Sequence, residues 1–128
     1  APPDARAHLG GGATYRVAGA LSAAFLELGA LRVVFDYVFL RAAHFRYFLD
    51  ALPEMPVQVI TLWASLETVV ARERARSGRP RLGLALRDCY QEMSLNPAQM
   101  GRIVDTDAIT PEATAQRVHE LLANAARL

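Results

Sequence analysis

Three short runs of β-branched and aromatic residues, separated by stretches of helical spacing, constrain the fold of this chain more than any other feature. The runs cover residues 31–38, 57–63 and 102–105. In the first, Leu31-Arg32-Val33-Val34-Phe35-Asp36-Tyr37-Val38, there is little polar alternation, which is how a strand covered on both faces reads. Strands separated by helices of roughly 10–16 residues argue for right-handed βαβ crossovers, and so for an α/β fold with a parallel sheet. Three strands are few for such a sheet, since the average is about five or six. The sequence therefore predicts an incomplete sheet.

The intervening segments carry helix punctuation. Val17, Ala18, Leu21, Ala24, Phe25 and Leu28 share one face of a helix that Thr14 is placed to cap and Gly29 to end. A second helix over 41–52 presents Phe45, Phe48, Leu49 and Leu52 and stops at Pro53 and Pro56. Ser65 caps a third, which runs into an arginine-rich stretch ending near Gly78 and Pro80. A fourth spans about 82–95, and Thr110-Pro111-Glu112 opens a fifth that reaches about Ala126. Residues 1–13, with Gly10-Gly11-Gly12, read as a loop or a severed connection, which leaves 14–128 as one domain.

Composition removes several chemistries. All fourteen cationic residues are arginine, and lysine is absent. No Schiff-base lysine, lysine general base or P-loop lysine is therefore available within the 128 residues. A net charge of +1 forecasts no polyanionic partner, so neither nucleic acid nor membrane is expected. The single cysteine, Cys89, falls in a helical pattern and reads as a small apolar residue. Without an apolar run of about 18 residues or a signal-like start, the expected compartment is the cytoplasm. Arginine, alanine and leucine without lysine is the usage of a GC-rich bacterial gene.

In open α/β sheets ligands bind beyond the carboxyl ends of the strands. Three polar groups fall there: Asp36, Ala64-Ser65 and Asp105-Thr106. Asp36 ends the apolar run Val33-Val34-Phe35, the pattern of a Walker-B acid that reaches Mg²⁺ through water; an equal reading is a turn former. Arg72, Arg76 and Arg79, spaced four and three apart, form one helical stripe; Arg74 and Arg81, seven apart, form another. Like charges at i,i+4 cost a helix roughly 0.2–0.5 kcal/mol per pair. Glu67 and Glu73 offset only part of this. Bidentate arginine forks suit phosphate oxygens, so an anion would reverse the sign; a solvated charged face is the equal alternative. His8, His44 and His119 lie in three different segments without ligand spacing, and no metal site is expected of them.

The ordered set Val33-Val34-Phe35-Asp36, then 57–63, then Arg72-Glu73-Arg74-Ala75-Arg76-Ser77-Gly78-Arg79, then Val104-Asp105-Thr106 with Thr110-Pro111-Glu112, resembles small P-loop kinases. The likeness is to the C-terminal three-quarters of the chloramphenicol-phosphotransferase-like and zeta-toxin-like kind, over about residues 14–128. It implies a three-layer α/β/α core with three strands present, and ATP and Mg²⁺ as cofactors of a kinase acting on a small-molecule acceptor. Asp36 would be the acid near the metal. Arg72, Arg76 and Arg79 would match the lid that clamps the transferred phosphoryl group. Arg74, Asp105 and Thr106 would lie on the cofactor side.

One departure is large. The family opens with a strand, Gly-x-x-x-x-Gly-Lys-Ser/Thr and a helix, and this chain has none of them. In the family's strand order the absent central strand lies between 31–38 and 57–63, which leaves two unpaired edges, open to self-association. The expected identity is thus the C-terminal part of a kinase, the abrupt Ala-Pro-Pro-Asp start being taken as a cut. The alternative is a catalytically inactive interaction module. The general base is not assignable.

Overall fold

The computed structural model describes residues 12–78 and 82–125. The chain divides into two compact units, Ala1–Val57 and Gln58–Leu128. The first holds helices α1 (Ala13–Glu27) and α2 (Ala42–Leu49). The second holds β1 (Ile60–Trp63), α3 (Leu66–Ala75), α4 (Leu84–Ser94), a 3₁₀ turn at Pro97–Gln99, β2 (Arg102–Asp105) and α5 (Pro111–Ala125). The protein is mixed α/β.

In the first unit α1 starts directly after Gly12, without a side-chain cap, so Thr14 does not play the expected part. Gly29 does end the helix, donating its N–H to the Leu26 carbonyl at 3.0 Å. The face of α1 turned inward carries Tyr15, Gly19 and Ser22. This corrects the sequence expectation: Val17, Leu21, Phe25 and Leu28 point outward, Leu28 at 84% exposure.

The reason is the close approach of α2. A Cβ on Gly19 would run into the Phe48 carbonyl and come within 2.9 Å of the Ala51 Cβ, so only the small face of α1 fits there. Tyr15 anchors the contact. Fully buried, it donates its hydroxyl to the Val38 carbonyl at 2.6 Å and stacks on His44 with centroids 4.3 Å apart. Gly19→Ala is accordingly expected to destabilise this unit by about 1–3 kcal/mol. Leu21→Ala should change it by less than about 0.5 kcal/mol. Thermal unfolding followed by circular dichroism separates the two; a larger loss for Leu21→Ala would restore the opposite face as the buried one.

Residues 32–40 form neither strand nor helix, a second correction. A strand needs a ladder partner, and among the described residues none lies beside this segment. Its alternate side chains find aromatic neighbours instead. Phe35 stacks on Phe48 at 5.3 Å, and Phe39 on Phe45 at 4.5 Å and on Tyr15 at 5.0 Å. The opposite side is open, with Val34 79% exposed. The expected covering on both faces is not found among the described residues.

The second unit is built on β1 and β2, which pair in parallel from Ile60↔Arg102 to Trp63↔Asp105. Two strands, not three, make up the sheet, and a three-layer P-loop-kinase-like core is not formed by the described residues. The physical reason is the one given above: the 31–38 run has nothing to pair with. At the start of β2, Gly101 has φ +61, and a Cβ there would strike the Val59 carbonyl. The backbone passes this point only because the residue is glycine. Arg102 then donates its N–H to that carbonyl at 3.0 Å and opens the ladder.

The remaining helices follow their sequence signals. Ser65 caps α3, its Oγ accepting the Thr68 N–H at 3.2 Å. Thr110 caps α5 through the Ala113 N–H at 3.1 Å, with Pro111 and Glu112 in the first turn. Among the described residues no helix is long and apolar enough to cross a membrane.

Candidate functional site

Parallel pairing points the carboxyl ends of β1 and β2 the same way, so the loops that follow them meet. The chain leaves β1 through buried Ala64 into Ser65, and leaves β2 through buried Thr106 into Asp107. Thr106 ties the two exits together, donating its N–H to the Trp63 carbonyl at 2.8 Å and its hydroxyl to the same oxygen at 3.1 Å. Across the gap the Ser65 N–H donates to Asp107 Oδ1 at 2.9 Å. The Asp107 N–H in turn donates to Asp105 Oδ1 at 2.9 Å, an Asx-type turn that shapes the loop. From α4, Tyr90 covers the β1 exit: its ring stacks on Trp63 at 4.4 Å, and its hydroxyl donates to the Ala64 carbonyl at 2.7 Å.

Arg72, in the last turn of α3, reaches this junction. Its Nη1 donates to Thr106 Oγ1 at 2.9 Å and its Nη2 to the Thr106 carbonyl at 2.6 Å. Two residues 34 apart in sequence are thereby joined by a two-pronged guanidinium contact. Arg72 and Thr106, both expected at the site, are brought together, and Asp105 lies next to them.

The arginine stripes are not realised as a helix surface. α3 stops at Ala75, and Arg76 is extended with ψ 133, so Arg72 and Arg76 do not share a helical face. Ser77, Gly78 and Pro80 follow at once in the sequence, and Gly78 at φ +84 lies outside the helical range. Arg74 is exposed. Arg76 Nη1 lies 3.3 Å from Glu73 Oε2. Glu73 is buried, and its Oε1 accepts the Leu82 N–H at 2.6 Å. Arg79 and Arg81 lie outside the described residues. Asp36 is exposed and belongs to the first unit, whereas the residues assembled here belong to the second.

Among the described residues no group of three or more His, Cys, Asp or Glu side chains is placed to hold a metal ion. His44 is buried, and its Nδ1 accepts the Leu40 N–H at 3.0 Å, a structural role. Cys89 is half-buried on α4. His119 is exposed on α5, and His8 lies outside the described residues.

Two residues of this junction escaped the sequence. Asp107 was hidden behind Asp105-Thr106, although an acid two residues past a strand end is itself a turn signal. Glu73 read as a partial charge offset and is instead a buried hydrogen-bond acceptor.

The Ser65 N–H, then the Thr68 hydroxyl, hold the Asp107 carboxyl below its ordinary value of 3.8, with smaller help from the Ser65 hydroxyl and Arg72; partial desolvation acts the other way. The contacts favour the charged form, so the tie is complete above pH 3.8 and is lost as the pH falls through the lowered value. The Ser65 amide resonance should therefore titrate with a midpoint below 3.8, and Asp107→Asn should remove that titration. A midpoint at or above the ordinary value would contradict the geometry.

Against protein-family models, curated proteins and solved structures, the chain finds no match.

Proposed function

We propose that this chain is the C-terminal part of an ATP-dependent small-molecule phosphotransferase, working in the cytoplasm on a small acceptor. One observation supports the reading above the others: the two-pronged contact of Arg72 with Thr106. It sets the arginine-bearing end of α3 at the carboxyl ends of two parallel strands, where α/β folds bind their ligands.

The residues present fit a nucleotide polyphosphate. Arg74 is exposed, and the Arg76 side chain is 37% exposed, so both can meet an anion from solvent. Beside Asp105, between β2 and α5, is a shallow, open concavity of about 470 Å³ lined by Ile103 and Ile109 together with Gln116, Arg117 and Glu120, where the nucleoside would lie. Arg74, Arg76 and Arg79 would hold phosphate oxygens, with Asp105 and Thr106 on the nucleoside side. When bound, ATP supplies the phosphoryl group. Mg²⁺ comes from the resemblance alone: Asp36 is a single exposed carboxylate of the first unit, and among the described residues no group of three His, Cys, Asp or Glu is placed to hold a metal ion.

The chain's own contribution is electrostatic. Arg76 neutralises charge on the transferred group, and Arg72, committed to Thr106, fixes the end of α3 from which Arg74 and Arg76 extend. Lysine is absent, so the β/γ-phosphate grip of a P-loop has to come from another segment. Titration of the chain with ATP and Mg²⁺ followed by NMR should then move the Arg74, Arg76 and Thr106 resonances with weak affinity. Micromolar binding would refute the need for a P-loop. Saturation without movement of these residues would remove them from the site.

A second reading, a catalytically inactive interaction module, is favoured by the outward apolar stripe Val17, Leu21, Phe25 and Leu28 and by the one edge on each of β1 and β2 that finds no partner among the described residues. Such a module would self-associate through these surfaces. The two readings part at turnover, which only the first predicts.

A further inference from the structure

A buried carboxylate sits inside the arginine-rich end of α3, and its two oxygens do different work. Glu73 is only 8% exposed. Oε1 accepts the Leu82 N–H at 2.6 Å, joining the end of α3 to the residues just before α4. Oε2 faces Arg76 Nη1 at 3.3 Å. The Arg76 N–H donates to the Glu73 carbonyl at 3.2 Å, so main chain and side chain both fold back on the same residue.

The two contacts differ in how readily they exchange. A backbone amide paired with a buried oxygen has no cheap replacement, because losing the partner leaves a desolvated donor. The guanidinium contact is single-pronged, and the Arg76 side chain is 37% exposed against 9% for Glu73. Of the guanidinium's five donors this contact uses one, and the side chain is open to solvent over part of its surface. To a guanidinium, a carboxylate oxygen and a phosphate oxygen are the same kind of partner, a charged acceptor at about 2.7–2.9 Å when the contact is optimal. The bond at 3.3 Å is longer than that.

We propose that Glu73 Oε2 is an internal stand-in for a phosphate oxygen at Arg76. It holds the guanidinium until the phosphate of an incoming polyphosphate displaces it. Oε1 keeps its hold on Leu82 throughout, so the exchange frees one arginine without releasing the connection behind it. The inference rests on Arg76 being a phosphate ligand.

The test titrates inorganic tripolyphosphate into the 128-residue chain at low salt by calorimetry, comparing wild type, Glu73→Gln, Arg76→Ala and the double variant. Glutamine keeps an oxygen for the Leu82 N–H but loses the charge that competes for Arg76. Glu73→Gln should bind about three- to tenfold tighter than wild type, Arg76→Ala more weakly, and the double variant no better than Arg76→Ala alone. If Arg76→Ala weakens binding but Glu73→Gln does not tighten it, the stand-in is wrong and the phosphate role of Arg76 survives. A gain from Glu73→Gln that persists without Arg76 would be a general charge effect and would also overturn it. If Arg76→Ala binds as wild type does, or no form binds, the phosphate reading falls together with this inference. Should Glu73→Gln fail to fold, NMR on the wild type decides. Tripolyphosphate should shift the Arg76 side-chain resonances and leave the Leu82 amide in place; movement of Leu82 or stillness of Arg76 contradicts the exchange.

Discussion

Gly101→Ala is expected to lower the stability of the second unit by about 2–5 kcal/mol, the largest single effect on folding. Two independent costs add. The backbone at 101 has φ +61, where a residue with a Cβ is strained by about 1–2 kcal/mol. That Cβ would also meet the Val59 carbonyl and approach the Val59 Cβ to 2.8 Å, an overpacking that costs about 1–3 kcal/mol more. The clash falls on the first ladder bond, from the Arg102 N–H to the Val59 carbonyl. Next to it, the Thr61 hydroxyl donates to the Met100 carbonyl at 2.7 Å. Among the described residues the sheet has two strands and no further ladder to absorb the displacement. Trp63, the one tryptophan, lies on β1 stacked against Tyr90, so its fluorescence in urea reads the transition directly. A change below about 0.5 kcal/mol would mean that β1 and β2 do not pair as described.

The second large effect is on chemistry. In a protein that carries a P-loop ahead of residue 14, Arg76→Ala should slow phosphoryl transfer at least about tenfold, or 1.4 kcal/mol of barrier. The transferred group carries charge on several oxygens, and a guanidinium held in place neutralises it at no reorganisation cost during the step. Arg76→Lys should not restore the rate, because a point charge lacks the planar fork. Steady-state rates of ADP formation at saturating ATP check this. An unchanged kcat in Arg76→Ala would take Arg76 out of the reaction and leave Glu73 as its structural partner only.

How far the sequence foretold these positions depends on the range of the interaction that decides each one. Helix limits set by local caps were legible: Ser65 caps α3, Thr110-Pro111-Glu112 opens α5, and Gly29 closes α1. The β2 span was legible as well, because Val104 and its neighbours are bounded by Gly101 and by the Asp-Thr-Asp turn. The buried face of α1 was not. Its apolar stripe is the stronger periodic signal, yet the close contact with α2 is made by Gly19 and Ser22, which hydropathy counts as weak. Residues 31–38 have the composition of a strand, but a strand is defined by its partner, and no composition supplies one.

The site divides along the same line. Residue types at strand ends pointed to Asp105 and Thr106, and the arginine run pointed to Arg72. What spacing could not provide is that Arg72 turns inward to Thr106, that α3 ends before Arg76, and that Glu73 faces two partners at once. These outcomes depend on where β2 and Leu82 return in space, from sequence distances of 34 and 9 residues.

A phosphotransferase role for this chain is tested by phosphoryl transfer itself, read as ADP formed from ATP and Mg²⁺ with and without small hydroxyl-bearing acceptors. The protein assayed carries residues 14–128 behind a P-loop. Acceptor-dependent ADP formation that falls at least about tenfold on Arg76→Ala is the expected result. ADP formation that is absent with every acceptor, or indifferent to Arg76, would contradict it.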